Sequence, residues 1–186
     1  MRVITGEARG RRLLEPSDRS IRPTADKVKC AVFNIVQFHV EGCRFLDLFA
    51  GTGQMGIEAL SRGAAEAVFV DRSREALALA KENLSRTGLS ARARLVSGDA
   101  LEQMGALGKF DIVFMDPPYG ADILEKALQK AAEIDILKEN GIILCESERI
   151  TALTEPAGRY LPCGEYLYGR IKLTAFAAPA GGKARS

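Results

Sequence analysis

The 186-residue sequence has a single histidine, His39, and no C-x-x-C pair. Catalytic triads and Cys–His nucleophilic sites need a histidine base, so that chemistry has little basis here. Its four cysteines are far apart and lack metal-ligand spacing, so we expect no zinc or other metal site. We interpret them as small buried side chains in a reducing compartment. They are Cys30, Cys43, Cys145 and Cys163.

The sequence also lacks an apolar run of the roughly 18–20 residues that a membrane-spanning helix requires. Its first residues, MRVITGEARGRR, are charged and contain no apolar segment typical of a secretory signal. With 47% hydrophobic and 27% charged residues, the composition is that of a globular chain. These features predict a cytoplasmic protein with one domain over residues 1–186.

Positive charge is concentrated at the start of the chain. Residues 1–29 carry eight basic and four acidic side chains, which leaves a net charge of −2 on the rest. A basic segment on a mildly acidic body is typical of phosphate-backbone binding, so residues 1–23 are a candidate RNA-binding arm. A solvated, poorly ordered N-terminus would have the same composition.

From Phe45 onward, short apolar runs alternate with helix-period segments, which indicates βαβ units and an α/β fold. The predicted strands cover residues 45–49, 68–71, 94–97, 111–115, 141–146 and 169–176, the last as an edge or antiparallel strand. Predicted helices cover residues 24–38, 54–62, 73–88 and 121–133. Ser73 is the expected N-cap of the third helix, and Gly88 its end. We expect a core over 45–176 and a disordered tail over 177–186.

The first motif, Gly51-Thr-Gly53-Gln-Met-Gly56, follows a predicted strand and opens a helix. Glycines at this place let the backbone approach a ligand, and the helix start offers free N–H groups. Asp71 lies twenty residues after Gly51, where a carboxylate can accept hydrogen bonds from a ribose diol. This pattern favours an adenosine-containing cofactor, with NAD and S-adenosylmethionine as equal alternatives.

Two further carboxylates belong to the same predicted edge of the sheet. Asp47 lies inside the first strand, and a buried carboxylate needs a partner. That partner is either the cationic amino group of a methionine moiety or the backbone N–H groups of the glycine loop. Asp99 is a candidate either for contact with an adenine amine or for a helix N-cap.

The most specific motif is Asp116-Pro117-Pro118-Tyr119 at the end of the fourth predicted strand. Two prolines make a rigid, extended segment whose carbonyls are not absorbed by a helix. An acidic side chain and a fixed carbonyl together can accept hydrogen bonds from one NH₂ group. The tyrosine ring offers a face for stacking a planar base. The arrangement suits the exocyclic amine of a flipped nucleobase.

FAGTGQMG followed by DPPY resembles the class I S-adenosylmethionine-dependent amino-methyltransferases. More specifically, RPTADKVK with VFN, and then LDLFAGTGQMGIEALSRGA, is similar to the bacterial 16S rRNA guanine-N(2) methyltransferase family. The resemblance runs from Ile4-Thr-Gly6 to Tyr168-Gly169. It implies a Rossmann-like, mainly parallel seven-stranded sheet with helices on both faces and a short basic N-terminal extension. It further implies a monomer that methylates the 2-amino group of one guanine in small-subunit rRNA.

The resemblance also implies roles for individual residues. Asp116 and the Pro117 carbonyl would hold the amine, and Tyr119 would stack on the base. The cofactor would lie against Asp47, Phe49, Gly51, Gly53, Asp71, Arg72, Asp99 and Ala100. RNA would contact Arg9, Arg11 and Arg12, with Arg22 and Thr24 near the cleft.

The sequence departs from the family in two places. Cys30 stands where relatives usually have Glu, and the loop reads GTGQMG where they often read GSGALG. Two other functions remain as alternatives. A DNA adenine or cytosine amino-methyltransferase would use the same tetrapeptide, although such enzymes usually carry a target-recognition domain. A non-catalytic RNA-binding assembly factor would keep the fold without the activity.

Overall fold

The computed structural model describes residues 1–16, 26–118, 121–153 and 159–179, and a seven-stranded sheet forms its centre. Its strands are β1 (Arg44–Asp47), β2 (Glu66–Asp71), β3 (Ala93–Ser97), β4 (Phe110–Met115), β5 (Leu137–Glu148), β6 (Leu161–Tyr168) and β7 (Ile171–Ala177). Their order is β3-β2-β1-β4-β5-β7-β6. The first five are parallel, and β7 and β6 are antiparallel additions. The mainly parallel seven-stranded α/β fold predicted for the chain is therefore confirmed.

Within the described residues, five α-helices connect or precede these strands. They are α1 (Asp26–Ile35), α2 (Gln54–Ser61), α3 (Arg74–Thr87), α4 (Ala100–Gln103) and α5 (Ala121–Glu133). Short 3₁₀ helices cover Ser90–Arg92 and Met104–Ala106. In the described part of the chain, none of the helices has the length and apolar character needed to cross a bilayer.

The sheet separates two apolar layers. Phe45 and Phe69 point to the layer formed with α1, α2 and α3, whereas Leu46 and Val68 point to the layer formed with α4 and α5. Neighbouring residues on one strand face opposite sides, so a strand covered on both faces must be apolar throughout. The helices on both faces confirm the predicted architecture, and they leave the carboxyl ends of the strands open.

The predicted caps of α3 are both present. Ser73 Oγ accepts the Ala76 N–H at 3.1 Å, and Gly88 ends the helix with a left-handed φ of 73°. Helix α1 is shorter than the predicted 24–38 because its last predicted residues form a turn, and residues 24 and 25 lie outside the described residues. Strand β1 stops at Asp47 rather than at Phe49, where the chain enters the glycine loop.

The C-terminal end differs from the prediction in two respects. Strand β6 was not predicted, since Pro162 and Gly164 interrupt its pattern and most of its side chains are exposed. The strand predicted at 169–176 is antiparallel, as one of its two alternatives required, and β6 pairs with it as the edge strand. Ala177 belongs to β7, paired with Ile142 and Leu161, and not to the tail. Residues 180–186 lie outside the described residues.

Residues 1–16 fold back on themselves, so the alternative of a poorly ordered N-terminus is wrong for this stretch. The Val3 N–H donates to the Arg11 carbonyl at 3.0 Å, and the Gly10 N–H donates to the Val3 carbonyl at 2.9 Å. Val3, Ala8 and Leu13 are buried in the core on the α1–α3 side. We call residues 1–13 the N-terminal hairpin.

Side chains of α2 and α3 hold this hairpin in place. Glu58 accepts the Ile4 and Thr5 N–H groups at 2.8 and 3.0 Å. Asn83 accepts the N–H of Leu14, the residue directly after the hairpin, at 2.7 Å. Burial of each of these polar side chains is offset by the hydrogen bonds it makes. The hairpin is thus part of the folded body, which makes its orientation fixed relative to the sheet.

Helix α1 is tied to the same hairpin through a buried cation. Lys29 has no exposed side-chain surface, and its Nζ donates to the Arg2 carbonyl at 2.6 Å. Burial lowers the pKa of Lys29, and the nearby negative charges of Glu58 and Asp26 partly oppose this effect. Cys30, the residue after it, is half-buried on α1.

The close packing of the hairpin predicts a difference between two glycines. Gly6 and Gly10 both have positive φ, but a Cβ on Gly6 would lie 1.7 Å from the Ser61 carbonyl oxygen, while a Cβ on Gly10 would meet nothing within 4 Å. We expect Gly6→Ala to destabilise the protein by about 1–3 kcal/mol more than Gly10→Ala. Thermal unfolding of both variants measures this, and equal losses would contradict the docked hairpin.

Candidate functional site

A cleft of about 2100 Å³ opens at the carboxyl ends of the parallel strands. The order of the sheet reverses between β1 and β4, and α/β sheets bind their ligands at such a point. Most of the predicted cofactor and catalytic residues lie around this cleft. They are Asp47, Phe49, Gly51, Asp71, Arg72, Asp99, Ala100, Asp116 and Pro117.

Asp71 holds the glycine loop against the end of β2. Its Oδ2 accepts the Gly51 N–H at 2.8 Å, and its Oδ1 accepts the Ser73 N–H at 2.8 Å. Gly51 lies in the left-handed region, with φ of 50°, which glycine adopts without strain. A carboxylate oxygen has two lone pairs, so Asp71 retains acceptor capacity at the cleft after making both bonds.

The other two glycines of the motif have packing roles. Gly53 was predicted to contact the cofactor, but it is buried beneath the loop and does not line the cleft. A Cβ there would lie 3.0 Å from the Ala80 Cβ of α3. A Cβ on Gly56 would lie 2.2 Å from the ring of Phe69 on β2. These glycines let α2 approach its neighbours closely, which brings its N-terminus to the cleft.

Asp47 is buried at the end of β1, with 2% of its surface exposed. Its Oδ2 accepts the Gly56 N–H in the first turn of α2 at 3.0 Å. Of the two partners predicted for this carboxylate, the structure therefore contains the backbone N–H. Burial raises the pKa of Asp47 to about 7, and the negative charges of Asp116 and Asp71 add to the effect. A cation in the cleft would favour its ionised form.

Asp99 caps a helix, as one of its two predicted roles required. It is exposed at the end of β3, and its Oδ1 accepts the Leu101 N–H of α4 at 2.8 Å. Both Asp99 and the buried Ala100 line the cleft. The cap leaves Asp99 Oδ2 as an acceptor toward a ligand on this side.

Asp116 and Pro117 follow β4 and are half-buried at the centre of the cleft. Asp116 is close enough to Asp47 for its charge to raise the pKa of that carboxyl. Pro118 is exposed, and Tyr119 lies outside the described residues, so its stacking role stays a prediction.

The predicted RNA-contacting arginines are not in the cleft. Arg9, Arg11 and Arg12 are exposed on the hairpin, and Nη1 of Arg11 donates to the Arg86 carbonyl of α3 at 3.0 Å. Arg22 and Thr24 lie outside the described residues.

Gln54 is a residue of the site that sequence reasoning missed. Only 5% of Gln54 is exposed, it lines the cleft, and its Oε1 has no hydrogen-bond partner among the described residues. Buried amide oxygens without a partner are uncommon, which indicates a ligand donor at this place. The departure from GSGALG at this position was the feature of the sequence that could have identified it.

The donor set fits S-adenosylmethionine. Two carboxylates, those of Asp47 and Asp71, suit a ligand that carries positive charge. The Asp71 carboxylate is placed to accept hydrogen bonds from a ribose diol. The Gln54 side-chain oxygen can accept a hydrogen bond from an amine or a hydroxyl group of the ligand. With the parallel sheet and its antiparallel end, this cleft defines a class I S-adenosylmethionine-dependent methyltransferase.

Comparison with known proteins identifies the family. Residues 1–177 match the family model described as "Conserved hypothetical protein 95", and the chain belongs to this family. "Putative rRNA methyltransferase YlbH" of Bacillus subtilis is 40% identical over 91% of this chain and 94% of its own length. "Ribosomal RNA small subunit methyltransferase D" of Haemophilus influenzae is 35% identical over 84% and 83%. The family resemblance noted in the sequence is confirmed.

A solved structure agrees with the fold. "Putative methyltransferase yhhF from Escherichia coli" superposes with a TM-score of 0.86 and is 29% identical, covering 97% of this chain and 98% of that one. The match over nearly the full length of both proteins includes the N-terminal segment as well as the sheet. The predicted class I methyltransferase fold is confirmed by this similarity.

The raised pKa of Asp47 predicts a pH-dependent stability of the cofactor-free protein. Between about pH 4 and 7 the folded state retains a proton that the unfolded chain has released, so stability is lost as the pH rises toward 7. We expect Asp47→Asn to remove a slope of up to about 1.4 kcal/mol per pH unit.

Urea unfolding at several pH values between 4.5 and 7.5 measures this slope. The exposed Asp122 on α5 provides the control substitution, Asp122→Asn. Other carboxyls, including Asp111 with its lowered pKa, contribute in the opposite direction, so the informative quantity is the difference between wild type and variant. Parallel pH curves for wild type and Asp47→Asn would contradict the assignment.

Proposed function

We propose that this protein transfers the methyl group of S-adenosylmethionine to the 2-amino nitrogen of a specific guanine in 16S rRNA. The observation that carries the proposal is the position of Asp116 and Pro117, which line one cleft with Asp47 and Asp71. An amine held by the first pair would lie beside a cofactor held by the second. The relatives named as rRNA methyltransferases support ribosomal RNA as the substrate, and we propose that the reaction takes place in the cytoplasm.

The guanine 2-amino nitrogen is a weak nucleophile because its lone pair is delocalised into the ring. Hydrogen bonds to the Asp116 carboxylate and the Pro117 carbonyl would favour a pyramidal nitrogen with its lone pair directed at the methyl group. Bound S-adenosylmethionine supplies that methyl group on a sulfonium sulfur. Positioning of this kind is worth roughly 7–11 kcal/mol in well-oriented reactions. Asp116 or solvent then receives the proton that leaves the nitrogen.

The first experiment is methyl transfer from labelled S-adenosylmethionine. Small ribosomal subunits, naked 16S rRNA and duplex DNA, all from cells lacking the enzyme, are offered in parallel, and the product nucleosides are analysed. We expect label in 2-methylguanosine from a ribosomal substrate. Label in adenine or cytosine would overturn the substrate and support the DNA alternative. RNA binding without any label would support the assembly factor.

Substitution of Asp116 separates its catalytic role from cofactor binding. We expect Asp116→Asn to lower kcat for methyl transfer at least about a hundredfold, because the amide loses the charged acceptor. The Kd for S-adenosylmethionine, measured by calorimetry, should change little. Asp122→Asn serves again as the matched control on an exposed carboxyl. An Asp116→Asn variant with wild-type kcat would exclude Asp116 from the reaction.

A further inference from the structure

Two segments beyond β4 form one border of the cleft, which we call the lip. It consists of residues 148–152 at the end of β5 and residues 169–171 at the turn between β6 and β7. The Arg149 N–H donates to the Arg170 carbonyl at 2.8 Å, and Lys172 Nζ donates to the Thr151 carbonyl. These bonds join the two segments, so the lip is held as a unit on the antiparallel end of the sheet.

The lip lies on the substrate side of the cleft. Along the sheet edge, Asp71 and Asp47 are the last residues of β2 and β1, whereas Asp99 and Asp116 follow β3 and β4. The lip comes next, after β5 and before β7, with Glu148 paired to Ile171. The residues that suit the cofactor and the residues of the lip are therefore on opposite sides of Asp116. When the amine of a base reaches Asp116, the sugar of that base and the neighbouring nucleotides must lie on the side of Asp116 opposite the cofactor.

The side chains of the lip combine one apolar tip with positive charge. Ile150 is 89% exposed and lines the cleft, although exposure of an isoleucine contributes nothing to folding. Arg149 and Arg170 are exposed beside it, and Glu148 is the one acidic residue of the lip. The cofactor half, in contrast, is lined by the carboxylates of Asp47, Asp71 and Asp99, with Arg72 as its basic residue. Apolar side chains that enter a base stack, flanked by phosphate-binding arginines, are a common means of holding an unstacked nucleotide.

We propose that the lip binds the RNA strand on either side of the target guanine. Ile150 occupies the place in the base stack that the guanine leaves when it enters the cleft, and Arg149 and Arg170 contact the neighbouring phosphates. The proposal rests on the proposed function, since it assigns the lip to the nucleic acid whose guanine is methylated.

The chain offers a matched control for Ile150. Phe38 is also 89% exposed, but it lies in the turn after α1, near the amino end of β1 and away from the cleft. We expect Ile150→Ala to lower kcat/KM for the RNA substrate roughly fivefold or more. A loss of about fivefold corresponds to the low end of what one side chain stacked on a base contributes to binding. Phe38→Ala should leave it unchanged, and both variants should keep the wild-type Kd for S-adenosylmethionine.

The arginines are tested through salt. The double variant Arg149→Ala, Arg170→Ala keeps the backbone bonds of the lip. We expect it to reduce the slope of log affinity for a 16S rRNA transcript against log salt concentration by roughly 0.7 for each lost phosphate contact. The control is Arg94→Ala, since Arg94 is an exposed residue of β3, the strand at the opposite edge of the sheet. This variant should keep the wild-type dependence of affinity on salt concentration.

The outcomes separate this proposal from the proposed function. Wild-type protein that neither binds nor methylates ribosomal RNA would overturn the proposed function itself. Wild-type methylation together with an Ile150→Ala variant that behaves like Phe38→Ala would overturn the lip alone. An unchanged salt slope in the double arginine variant would likewise show that the lip does not contact phosphates.

Discussion

The hydrogen bond from the Gly56 N–H to buried Asp47 is the interaction on which the site depends. It joins the end of β1 to the first turn of α2, and the same loop is held at Gly51 by Asp71. Burial of a carboxylate costs free energy that one hydrogen bond to a neutral N–H does not fully offset. Burial therefore raises the pKa of Asp47 to about 7, so the carboxyl is only partly ionised near neutral pH. A cation bound in the cleft would favour the ionised form and lower this cost.

The polar residues of α2 have a structural explanation of the same kind. All eight residues of this helix are buried, yet it contains Gln54, Glu58 and Ser61. Glu58 and Ser61 accept hydrogen bonds from backbone N–H groups of the N-terminal hairpin, and Gln54 lines the cleft. The helix therefore connects the hairpin at its C-terminal end with the ligand site at its N-terminal end.

Features that depend on neighbouring residues could be predicted from the sequence. The cap at Ser73, the glycine end of α3 and the position of Asp116 after β4 follow from local patterns. The docking of the hairpin could not, because Glu58 and Asn83 lie more than fifty residues from the groups they bind. The packing of Gly53 could not be predicted either, because the motif does not distinguish a glycine that approaches a ligand from one that makes room for Ala80. Strand β6 has few buried side chains, so no apolar pattern marks it.

The order in which the chain is made bears on the N-terminal hairpin. Its docking groups lie on α2 and α3, and α3 ends at Thr87. During translation the first sixteen residues therefore emerge well before the surface that buries Val3, Ala8 and Leu13 exists. At 5–20 residues per second, the interval between Pro16 and Thr87 is roughly 4–14 seconds. During that interval Val3, Ala8 and Leu13 lack the surface that buries them in the folded protein.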